Sequence, residues 1–85
     1  MDANTSFERS FVQVVVETLV KKGIKHAPFG RAIFGDESGS RIWLQVRDES
    51  KPRRLSLAEA HKIALFLGKD FPALTWEVQQ EIEKK

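Results

Sequence analysis

An 85-residue chain with no cysteine has room for one domain with a single modest core, and it excludes a disulfide frame, cysteine-ligated zinc and a cysteine nucleophile. The net charge of +2 is unevenly spread: residues 21 to 54 hold nine Lys and Arg against four Asp and Glu, a local balance of +5, while the remainder stands at −3. One basic segment between acidic flanks points to a single anionic partner on one face, and a small nucleic-acid reader is the expectation.

Thr5-Ser6-Phe7-Glu8 sets a hydroxyl ahead of a glutamate, the capping-box arrangement, and predicts the start of a first helix. Phe7, Phe11, Val14, Val15, Thr18 and Leu19 then recur at helical spacing, Lys21 and Lys22 suit a helix C-terminus, and Gly23 can close it in the left-handed conformation. Pro28 fits the first turn of a short second element in which Phe29, Ala32 and Ile33 form the buried stripe. Residues 35 to 40, Gly-Asp-Glu-Ser-Gly-Ser, are turn chemistry, with Asp36 or Ser38 placed to cap the next element.

The next segment, Ser40 to Arg47, reads two ways. As a strand it puts Ile42, Leu44 and Val46 on one side and Arg41, Trp43, Gln45 and Arg47 on the other; as a helix it groups Ile42, Trp43 and Val46, leaving Leu44 out. The strand reading gives an α+β fold with a central hairpin over residues 31–47, whose basic face and Trp43 would bind single strands by stacking. The helical reading gives an all-α domain. Further on, Ser56-Leu57-Ala58-Glu59 is a second capping box, Ala60, Ile63, Ala64 and Leu67 form the stripe behind it, and Gly68 ends that helix. A last helix opens at Asp70-Phe71-Pro72 with Leu74, Val78 and Ile82 inward, and loose ends are expected over about 1–5 and 82–85.

No chemistry of an enzyme stands out, since no nucleophile–base pair, carboxylate pair or phosphate-cradling glycine loop occurs. His26 and His61 lie far apart without a ligand pattern, so neither a metal nor another cofactor is expected. Apolar runs such as Val14-Val15-Val16 are far short of the roughly 20 residues that cross a bilayer, and Met1-Asp2-Ala3-Asn4 lacks a secretion-signal layout, so a soluble cytoplasmic protein is expected.

The order of signals resembles the lambda-repressor-like, Cro-type helix-turn-helix domains over roughly residues 7 to 80. The residues that carry it are Lys21-Lys22-Gly23-Ile24 ending a long helix, the Pro28 to Gly35 segment, Ser40 to Arg47, and the Ser56-Leu57…Ile63-Ala64…Leu67-Gly68 closing pattern. The family's leucine-alanine pair in its second helix maps to Phe29-Gly30, large then small but with a helix-weakening glycine. The resemblance implies a compact five-helix all-α domain and a small transcriptional regulator of phage-repressor type, bacterial or viral in kind, that binds duplex DNA by sequence. It also makes Ser40 to Asp48 the recognition helix. Helical spacing would then turn Ser40, Arg41, Leu44 and Gln45 toward base edges, with Arg41 suited to guanine, Gln45 to adenine and Leu44 to a thymine methyl. Lys25, His26, Arg31, Arg47, Lys51, Arg53 and Arg54 flank it as phosphate contacts. Phe66, Phe71 and Trp76 are a candidate homodimer patch, with half-sites about 34 Å apart, or the docking face of a small protein-interaction adaptor.

Overall fold

Helices with apolar stripes, three of them closed by a glycine, make up most of the described chain. The structure is a computed structural model that describes residues 3–50 and 53–84. Along it run α1 (Ala3–Lys22), α2 (His26–Phe34), α3 (Gly39–Arg47), α4 (Leu57–Phe66) and α5 (Phe71–Lys84), with no strand among the described residues. The domain is all-α. The alternative hairpin over 31–47 does not form: its two halves fall in α2 and α3, and Trp43, which the sheet would have exposed, is completely buried.

In α1 the valine run that weakens helix propensity is tolerated because Val12, Val14 and Val15 are all buried, with Phe11 and Leu19, in the core. Its end follows the expected glycine closure: Gly23 has φ 69°, its amide donates to Val20, and the Ile24 amide reaches back 2.9 Å to the Leu19 carbonyl. The same pair of bonds closes α4 at Gly68, where the Lys69 amide donates to Ala64. At the start of α4 the capping box is complete, with the Glu59 amide 3.1 Å from Ser56 Oγ and the Ser56 amide 2.9 Å from Glu59 Oε1.

Three expectations need correction. The first helix begins at Ala3, ahead of the Thr5-to-Glu8 box, and the last runs to Lys84. Ala32 is exposed, and α2 buries Phe29, Gly30 and Ile33 instead. Neither Asp36 nor Ser38 caps α3 with a side chain; Ser38 holds the N-cap position without such a bond.

The core is one cluster drawn from every helix. Phe29, Trp43, Leu19, Ile63, Leu74 and Val78 are its most completely enclosed large side chains. α1 lies against α5, α2 rests on α4, and α2 and α3 form the closest pair of all.

Candidate nucleic-acid interface

The geometry of the α2–α3 pair is set by two glycines. A Cβ on Gly30 would lie 2.7 Å from the Gly39 carbonyl oxygen, and a Cβ on Gly39 would lie 2.6 Å from the Cα of Arg31, so the two backbones touch where any side chain would hold them apart. The turn between them is also glycine-dependent. Gly35 has φ 111°, its amide closes α2 on the Arg31 carbonyl at 3.0 Å, and its own carbonyl accepts from the Gly39 amide at 2.8 Å. Gly30 is therefore paired with a second glycine, and together they permit this close approach.

Below that contact the pair is riveted by aromatic rings. Trp43 meets Phe29 edge-on at 4.9 Å between centroids and lies nearly parallel to Phe34 at 6.4 Å. Its indole Nε1–H donates to Nδ1 of His26 at 3.0 Å. The Arg47 guanidinium lies 5.5 Å from the centre of the same indole ring. Burial, and then the positive charge of Arg47, lower the pKa of His26 from its usual 6.5. Because Nδ1 accepts, the neutral ring carries its proton on Nε2.

With Trp43 and Val46 turned inward, α3 presents Ser40, Arg41, Leu44 and Gln45 to solvent, the four residues expected to reach base edges. Leu44 is 59% exposed at the centre of this otherwise polar face. Neither α2 nor α3 has a side-chain N-cap or an acidic residue in its first turn, whereas α4 has both. The starts of α2 and α3 thus keep the partial positive charge of the helix dipole and are suited to anions.

The flanking cations divide into two sets. Lys25, at the N-cap of α2, and Arg31, on its outer face, are exposed. Arg47 is drawn inward over Trp43, its Nε is buried without a hydrogen-bond partner, and burial lowers its pKa. Arg53 makes two 3.3 Å contacts to the Glu59 carboxylate, and Arg54 pairs with Glu8 at 2.6 Å. Each of those pairs is electrically neutral, so the structure removes part of the charge that the sequence assigns to the basic segment. Lys51 lies outside the described residues.

Two cations missed in the sequence hold the pair from behind. Arg9 of α1 donates to the Val46 carbonyl at 3.2 Å and the Arg47 carbonyl at 3.5 Å, at the end of α3. Lys62 of α4 donates to the Ile33 carbonyl at 3.3 Å, at the end of α2. Both place positive charge at a helix C-terminus, where free carbonyls favour it. Nothing in the sequence signals either contact, because the partners are 37 and 29 residues away.

The three aromatic residues of the candidate patch sit in different surroundings. Phe66 packs edge-on against Phe29 at 5.2 Å, half-buried Phe71 lines a groove with Phe7, Phe11 and Leu55, and Trp76 lines another with Lys21, Lys22 and Glu77. Among the described residues no group of three or more His, Cys, Asp or Glu side chains could hold a metal, and no helix is long and apolar enough to cross a membrane. Comparisons with protein families, curated proteins and solved structures find no match for this chain.

Proposed function

We propose that this domain binds duplex DNA by sequence, as a small cytoplasmic transcriptional regulator, with α3 as the helix that enters the major groove. The observation that carries the proposal is the outward set Ser40, Arg41, Leu44 and Gln45 on a short helix fixed to its neighbour by backbone contact. Nine helical residues span about 13 to 14 Å, and a B-DNA major groove about 12 Å wide admits such a cylinder. Arg41 supplies two parallel donors for a guanine, Gln45 a donor and an acceptor for an adenine, and Leu44 an apolar surface for a thymine methyl. The start of α2, with Lys25 and uncapped amides, and Arg31 beside it take phosphates and set the register.

Selection from a random pool of duplexes tests this. A shared motif of a few base pairs in the retained molecules is the expected result. Retention of none at low salt, or retention without any common sequence, removes sequence-specific DNA binding from the account.

A further inference from the structure

One part-buried hydrogen bond between side chains of α2 and α3 has a titratable acceptor. Among the described residues the Trp43 indole Nε1–H is the donor carried by a fully buried side chain, and it is satisfied by His26 Nδ1 at 3.0 Å. The bond joins the first residue of α2 to the middle of α3, so it spans the two helices at the end opposite the Gly35 turn. Phe29 and Phe34 hold the indole in place and leave it little room to seek another partner.

We propose that His26 is a positioning residue that latches α3 to α2 only as the free base, so that protonating this one imidazole releases the latch and loosens the reading helix. A proton arriving at Nδ1 occupies the lone pair that accepts from Trp43. Two N–H groups then face each other across the same gap, and the buried indole donor is left without an acceptor.

The charged surroundings act in the same direction. Arg47 of α3 is the charged group that acts on the imidazole, and it repels a second cation. Lys25 precedes His26 in the chain, while Lys62 of α4 is bonded to Ile33 at the far end of α2. The acids of the α2–α3 segment lie off the ends of its helices, Asp36 and Glu37 in the turn after α2, Asp48 and Glu49 after Arg47; Asp48 accepts from Ser50. The folded protein therefore binds this proton less readily than the unfolded chain does. Stability linked to His26 is fully present above the usual histidine value of 6.5, and it falls as the pH drops through that value toward the lower folded one.

Two substitutions separate a latch from simple packing. His26→Asn keeps an acceptor oxygen where Nδ1 stands but does not titrate; His26→Ala removes the acceptor. The expected result is that the Trp43 indole proton resonance shifts with the same midpoint as His26 in the parent and is insensitive to pH in His26→Asn. Between pH 7.5 and 5 the parent should lose about 4 to 8 °C of Tm relative to His26→Asn, the effect of one buried hydrogen bond in a domain this size. His26→Ala should already be lowered at pH 7.5. An indole resonance indifferent to the titration of His26, or parallel Tm profiles for parent and His26→Asn, overturns the latch.

Those readouts need no DNA, so they stand or fall separately from the proposed function. On that reading, acid should also reduce the ratio of specific to scrambled affinity in the parent and not in His26→Asn. The extra charge strengthens both kinds of site alike and cancels in the ratio.

Discussion

Gly30 is the residue at which a local rule and the tertiary structure disagree most openly. Inside an exposed helix, glycine to alanine is favourable by about 1 kcal/mol, because alanine loses less backbone entropy on folding. Here the added methyl would lie 2.7 Å from the Gly39 carbonyl oxygen and 3.0 Å from the Ser40 Cα, both backbone atoms that move only if α3 moves. Forcing extra volume into a tight contact costs about 1 to 3 kcal/mol, which equals or exceeds the propensity gain. Gly30→Ala is therefore expected to lower the urea midpoint of the domain, against the sign that helix propensity alone gives. An unchanged or raised midpoint would mean that the backbones are not in contact at this point.

At the scale of elements, the helix ends show what the sequence could and could not reveal. Gly23, Gly68 and the Ser56–Glu59 box are local signals, satisfied by partners three to five residues away, and the structure uses all three in the expected way. The identity of the middle segment was not legible in that way, because Ile42 and Val46 share a face in either period, with Leu44 beside them in a strand and Trp43 in a helix. What decides for helix is tertiary: Phe29 and Phe34 enclose Trp43, and Arg9 receives the end of α3. The outward face of α3 is a consequence of that choice. The cations are not, since pairing of Arg53 with Glu59 and of Arg54 with Glu8 depends on a loop path that no periodicity encodes.

The capping box offers a direct check on the element that closes the fold. Ser56→Ala removes the acceptor for the Glu59 amide and should destabilise the domain by about 1 kcal/mol in urea denaturation. Glu59 is tied to the same box. Burial opposes its charge, but hydrogen bonds from the Ser56 backbone and from Arg53 outweigh it and hold the carboxyl below its usual 4.5. The stability it contributes is therefore present above that value and is lost as the pH falls through the lower folded one. This acid-side loss should diminish in Ser56→Ala, which removes one of the hydrogen bonds to the box.

For the whole molecule, the arrangement of charge sets the expected response to salt. If about five of the seven phosphate candidates in the sequence displaced counterions, the slope of log affinity against log salt would be near −4 to −5. With Arg53 and Arg54 paired with Glu59 and Glu8 and Arg47 drawn over Trp43, the phosphate candidates left over are Lys25 and Arg31, which are exposed, and Lys51, which lies outside the described residues. About three released counterions give a slope near −3. A slope near −5 would instead show that the Arg53 and Arg54 pairs open on binding and that both arginines turn to the phosphates.

The central claim is that α3 reads sequence, and Arg41 tests it most directly. Its side chain is exposed on the first turn of the helix, where no acidic residue stands to complicate the outcome. Affinities of the parent and of Arg41→Ala should be measured on the selected duplex and on a scrambled one of the same length and composition, at fixed salt. The expected result is a loss of about 1 to 3 kcal/mol on the selected duplex and a clearly smaller one on the scrambled duplex, because a bidentate base contact forms only where the matching base is present. Equal weakening on the two duplexes would make Arg41 a phosphate contact and contradict the assignment of α3 as the recognition helix.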